Sequence, residues 1–182
     1  MISRRTFLQT ALAASVLPTL RWADAAPRYT AGLHVVVDGA CSDARSFVEQ
    51  CGVRPLIGSD TAAVLATLLR DETRACFGLT RDSQYFLIEQ MAGACGYRHG
   101  YHGVHDYRDG GLRHHLHGAR DPIDGLAQAL RDAGPAWAVP LAAAMPALAR
   151  DSTRDTRIAT RGDASRPADS GGYLVSWCLH RA

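Results

Sequence analysis

Three times in succession from Leu33, a short apolar run is followed by a capped stretch of helical periodicity, and that alternation restricts the fold more than any other feature of the chain. Leu33-His34-Val35-Val36-Val37 is nearly continuously apolar, which suits a strand covered on both faces. Asp38-Gly39 breaks it. Ser42 can then cap a helix whose Ala44, Phe47, Val48 and Cys51 recur at i, i+3, i+4 and i+7, and Gly52 supplies the stop. Val53 to Ile57 reads as a second strand, with Pro55 marking an edge or a strand start. Gly58-Ser59-Asp60 leads into a second helix with Val64, Leu65 and Leu68 inward. Ala75 to Leu79 is a third strand, and Thr80 can cap a third helix running through Cys95, with Leu87, Ile88 and Met91 on one stripe. Connections this short, closed by right-handed crossovers, predict an α/β fold: a three-layer sandwich with a mainly parallel sheet. Neither G-x-G-x-x-G nor G-x-x-x-x-G-K-[ST] follows the first strand, so nucleotide binding has no support.

The composition then changes. Positions 97–117 are rich in tyrosine, histidine and glycine around Asp109-Gly110-Gly111, which predicts a β-hairpin. Asp121-Pro122 opens a helix with Ile123, Leu126, Ala127 and Leu130 inward, and Gly134-Pro135 ends it. Trp137 to Ala149 is apolar but interrupted by Pro140 and Pro146, the pattern of a broken helix. Positions 151–172 are polar and charged, a mobile loop with room for one short strand near Thr156 to Thr160. From Tyr173 to His180 the residues alternate as a closing strand that ties down the C-terminus.

Ahead of this domain, Ser3-Arg4-Arg5-Thr6-Phe7-Leu8 precedes a weakly apolar run from Ala11 to Leu20 and a small-residue site at Ala23-Asp24-Ala25. The segment resembles a twin-arginine export signal, in which Arg4 and Arg5 are read by a translocase that carries folded proteins. The resemblance implies a cleaved signal over 1–25, a single α/β domain over 26–182, the twin-arginine translocase as a partner, and a periplasmic or secreted destination. The apolar run, broken by Ser15 and Pro18, is too short for the roughly 20 residues a bilayer span needs, so no stable span is expected after cleavage. Without Arg4, Arg5, Arg21 and Asp24 the arginines and acidic residues balance, which gives no reason to expect nucleic acid as a partner. Cys41, Cys51, Cys76, Cys95 and Cys178 are permitted disulfides by that destination, but none forms a C-x-x-C pair, and the pairing is left open.

Six of the eight histidines fall in the hairpin: His99, His102, His105, His114, His115 and His117. With uninterrupted alternation, Tyr97, His99, Tyr101, His105 and Tyr107 share one face while His102 takes the other. Depending on register, His99 or His105 then stands beside His115 and His117, or beside His114. Imidazole suits zinc, copper, nickel or haem iron, which makes His99, His105, His115 and His117 the candidate metal ligands. A second candidate is the crevice beyond the strand carboxyl ends, where Asp38, Ser59, Asp60 and Thr80 would lie. There helix N-termini favour an anion or a developing oxyanion, although such residues also serve as caps. The sequence therefore points to an exported accessory or metal-binding protein. The alternatives are a small hydrolase or transferase using the crevice, and a non-catalytic partner of an exported redox enzyme.

Overall fold

The computed structural model describes residues 32–70, 72–150, 155–165, 167–169 and 173–182. The leader expected over 1–25, with Arg4 and Arg5, lies outside them, as do 151–154, 166 and 170–172 of the expected mobile loop. The first three strand–helix units form where the alternation places them. They are β1 (Leu33–Val37), α1 (Ser42–Cys51), β2 (Leu56–Ile57), α2 (Thr61–Leu68), β3 (Ala75–Thr80) and α3 (Asp82–Ala94). The hairpin strands β4 (Tyr97–Arg108) and β5 (Gly111–Gly118) follow, then α4 (Arg120–Ala133), a 3₁₀ turn (Gly134–Ala136), α5 (Ala138–Leu148), β6 (Thr156–Gly162) and β7 (Tyr173–Arg181). The region expected to be mostly loop thus contains a full strand.

All seven strands join one mixed sheet in the order β2-β1-β3-β7-β4-β5-β6. β1 pairs with β2 and β3 in parallel, and the other four pairings are antiparallel, so the expectation of a mainly parallel sheet is corrected. The reason lies at the far end of the chain. β4 does not lie beside β3; β7 enters between them, antiparallel to both. Crossover lengths report on neighbours in sequence and carry no information about such a late insertion.

Two apolar clusters use alternate residues of the same strands. Val35, Val37, Phe77 and Leu79 pack with α1, α4 and α5, whereas Val36, Cys76, Val175 and Trp177 pack with α2 and α3. Gly78 pairs with Trp177, and a Cβ on Gly78 would overlap both the Val36 carbonyl and the indole. Its absence lets the ring lie on the sheet.

Helix ends follow the sequence in part. Gly52 caps α1 in the left-handed region (φ 66°) and donates its N–H to the Val48 carbonyl at 3.0 Å. Asp60 caps α2, its Oδ1 accepting from Ala63 N–H at 3.1 Å. Ser42, expected as the α1 cap, is the first helical residue instead, and its hydroxyl donates to Asp169 at 2.6 Å. Asp121 likewise falls one turn position inside α4, which starts at Arg120. The expected broken helix is one helix, α5: Pro140 occupies its first turn, where an N–H would have no intrahelical partner, and Pro146 lies inside it. No helix among the described residues is long and apolar enough to cross a membrane.

Candidate functional site

The geometry of the histidines is set by a two-residue turn. Asp109 and Gly110 both lie in the left-handed region, with φ of 51° and 71°, as a type I′ hairpin turn requires. That turn fixes Arg108 opposite Gly111, and therefore His105 opposite His114, Val104 opposite His115 and His102 opposite His117. Alternation sends His105 and His114 to the face covered by α1, α4 and α5. His102, His115 and His117 go to the other face. A bulge between His99 and Tyr101 breaks the alternation of β4. The expected common face of Tyr97, His99, Tyr101, His105 and Tyr107 is thereby corrected: Tyr97 and His99 turn toward α3, where His99 meets Glu89 Oε1 at 2.7 Å and the Tyr85 hydroxyl at 3.2 Å.

The four proposed metal ligands are consequently not brought together. His105 lies on the face opposite His99, His115 and His117. Among the described residues no group of three or more His, Cys, Asp or Glu side chains is close enough to hold a metal ion.

The structure instead assembles a buried chain of hydrogen bonds that the sequence did not reveal. The Tyr101 hydroxyl lies 3.0 Å from Ser176 Oγ, Ser176 Oγ 2.7 Å from His105 Nε2, and His105 Nδ1 2.7 Å from His114 Nδ1. Tyr101, His105, His114 and Ser176 are all fully buried. Trp137 lies over His105 with ring centres 4.4 Å apart. Its indole N–H donates to the Tyr107 hydroxyl at 2.9 Å, which in turn donates to Asp43 Oδ2 at 3.0 Å. Gly103 makes the meeting possible, because a Cβ there would overlap the Tyr101 hydroxyl and Ser176 Oγ.

Burial decides the protonation states. It lowers the His105 pKa well below the ordinary imidazole value, with the His114 and His102 charges acting in the same direction. It lowers that of His114 to about 4, assisted by His115. Two neutral rings sharing one Nδ1···Nδ1 contact hold one proton between them. If His105 supplies it, its Nε2 accepts from Ser176, Ser176 accepts from Tyr101, and every group of the chain is matched except His114 Nε2, which has no partner among the described residues. Burial raises the pKa of Asp43 even though Tyr107 donates to it, and also raises those of Tyr101 and Tyr107.

A serine hydroxyl on an imidazole that is itself held by a second imidazole has the connectivity of a nucleophile, its base and an orienting group. Here all four side chains are fully buried, and two open depressions along α3, one lined by Glu89, Arg98 and His99 and another by Tyr85, Phe86 and Glu89, lie apart from them.

The crevice residues stand at the carboxyl ends of β1, β2 and β3 as the topology requires, but most are already engaged. Buried Asp38 accepts from Ala40 N–H at 3.0 Å and pairs with Arg81. Asp60 is the α2 cap and Ser59 is exposed. Thr80, expected to cap α3, is instead the buried last residue of β3, and its hydroxyl accepts from Trp177 Nε1 at 3.0 Å. Of the residues the sequence reading missed, Ser176 carried one usable signal, a lone hydroxyl between Val175 and Trp177 in an apolar strand. Asp43 and Trp137 carried none. Comparison with family models, with curated proteins and with solved structures finds no match to this chain.

Proposed function

We propose that this chain is an exported periplasmic accessory protein, delivered folded by the twin-arginine translocase as one α/β domain, and that it acts by surface recognition beside a larger periplasmic partner such as a redox enzyme. We read its two apolar clusters as the two seams of a helix–sheet–helix sandwich. The observation that carries the accessory reading is the closure of Tyr101, Ser176, His105 and His114: the arrangement nearest to a catalytic one is fully buried. Groups placed this way hold β4, β5 and β7 together through buried hydrogen bonds, and the reachable chemistry lies elsewhere on the surface.

Two measurements test this reading. Replacing Arg4 and Arg5 together by lysine is expected to leave the precursor in the cytoplasm; undiminished mature protein in the periplasm would remove the twin-arginine route. The purified mature protein is expected to resist a fluorophosphonate probe. Stoichiometric labelling at Ser176 would favour the second reading, a small hydrolase, for which the 2.7 Å contact to His105 is the specific support.

A further inference from the structure

We propose that Tyr85 is a redox-active tyrosine, giving one electron to a high-potential metal centre of a partner while its phenolic proton crosses to His99, an inference that rests on the accessory reading. Local features assemble the site. Tyr85 and Glu89 stand four residues apart on α3 and so share a side of that helix. The bulge between His99 and Tyr101 turns His99 toward them. Glu89 Oε1 then lies 2.7 Å from His99 Nε2, and the Tyr85 hydroxyl 3.2 Å from His99 Nδ1.

These contacts set the direction of each proton. A carboxylate only accepts, so the imidazole carries its N–H on Nε2 and offers the Nδ1 lone pair to the phenol. A phenol that loses an electron becomes a strong acid, and its proton must leave with the electron to a base already in place. On oxidation the Tyr85 O–H bond breaks and an N–H bond forms on His99 Nδ1. The electron reduces the partner's metal by one unit. What remains is a neutral tyrosyl radical beside an imidazolium that Glu89 holds. Return of an electron reverses both moves, so no atom is gained or lost.

Among the described residues no other tyrosine hydroxyl meets an imidazole. Tyr97 donates to the Leu68 and Thr73 carbonyls, and Tyr101 meets Ser176. Tyr107 donates to Asp43, a carboxyl group, ordinarily a far weaker base than imidazole. Tyr85 is 8% exposed, with its ring centre 5.2 Å from that of His102 and 6.1 Å from that of Trp177. This burial shields a radical from coupling with another phenol. Electron transfer needs proximity and no contact, and Tyr85, Phe86 and Glu89 line an open depression over which a metal centre can dock. A purely structural hydrogen bond needs an acceptor at His99 but no base, and the test exploits that difference.

The experiment oxidises the mature protein with photogenerated tris(bipyridine)ruthenium(III), which stands in for the partner's metal, and follows the frozen product by electron paramagnetic resonance. Expected is a neutral tyrosyl signal that outlives the radical of free tyrosine by at least tenfold. Tyr85→Phe keeps the ring and should abolish it, whereas Tyr107→Phe and Tyr173→Phe should retain it. His99→Gln keeps an amide oxygen that accepts from the phenol but supplies no base, and should lower the yield at least tenfold. Glu89→Ala, at the half-buried positioning residue, should mix the His99 tautomers in long-range ¹H–¹⁵N spectra and shorten the radical's life. A long-lived signal that survives in Tyr85→Phe, is lost in Tyr107→Phe or Tyr173→Phe, or is undiminished in His99→Gln would overturn the proposal. Fluorophosphonate labelling at Ser176 with the Tyr85 radical intact would remove the accessory reading alone. An unlabelled protein that forms no long-lived radical would remove this inference alone.

Discussion

Ser176 is the joint of the buried chain, because its one hydroxyl serves both the Tyr101 hydroxyl and His105 Nε2. Ser176→Ala removes a single oxygen and leaves two buried polar groups without their partner. Stranding such groups costs about 1–3 kcal/mol, more than the net worth of a typical hydrogen bond. The urea midpoint should fall accordingly with the denaturant slope unchanged; an unshifted midpoint would mean that a water replaces the hydroxyl. The histidines give the same site a pH signature. A ring held neutral by burial binds fewer protons when folded than when unfolded between its two pKa values, so unfolding free energy drops as pH falls through that window. For His114 the window runs from about 6.5, the ordinary imidazole value, down to about 4. Each such group removes about 1.4 kcal/mol per pH unit across its window. Urea midpoints measured between pH 7 and pH 5 should therefore fall steadily. His114→Phe should make that slope shallower by about one proton, whatever it does to stability at pH 7. An unchanged slope would show that His114 is protonated in the folded protein.

At the level of the element, the hairpin shows which part of this arrangement was legible. The Asp109-Gly110 pair is a strong sequence signal for a type I′ turn, and a two-residue loop at those positions alone sets His105 against His114. The register was therefore readable from the sequence. The bulge at Gly100 was not, because it depends on how β4 meets β7, a partner about 80 residues away in sequence, and it moves His99 away from the face of His105. Helix periodicity placed Ile123, Leu126, Ala127 and Leu130 inward correctly, since one amphipathic stripe needs no knowledge of what it packs against. Two glycine substitutions separate turn strain from crowding. Gly110→Ala forces an L-residue to φ 71° and should cost about 1–2 kcal/mol. Gly103→Ala carries no such backbone strain but drives a methyl into Tyr101 and Ser176, and should cost at least as much while breaking the buried chain. Thermal midpoints of both variants, read beside the pH slope, distinguish the two: only Gly103→Ala should also alter the slope.

Across the whole molecule, the last strand in sequence is central in space. Within the sheet β7 joins β3 to β4, linking the parallel half, β2-β1-β3, to the hairpin half, β4-β5-β6, while the shared packing of α1, α4 and α5 and the Tyr107 bond to Asp43 also bridge the two. β7 supplies Ser176 and Cys178 to one face and Val175, Trp177 and Leu179 to the other, where the Trp177 indole also satisfies Thr80. Long-range pairing of this kind carries a loop-closure cost before its contacts form, and it slows folding. A chain ending at residue 172 should accordingly lose the cooperative urea transition as well as the tightest packing, with the far-UV signal decaying gradually rather than in one step. Trp177→Phe keeps the strand and most of its buried area while losing the bond to Thr80. It should retain a single transition, shifted by about 1–2 kcal/mol. A truncated chain that still unfolded in one sharp step would mean that the helix packing across the two halves suffices without β7, and the central placement of that strand would no longer explain the cooperativity of the fold.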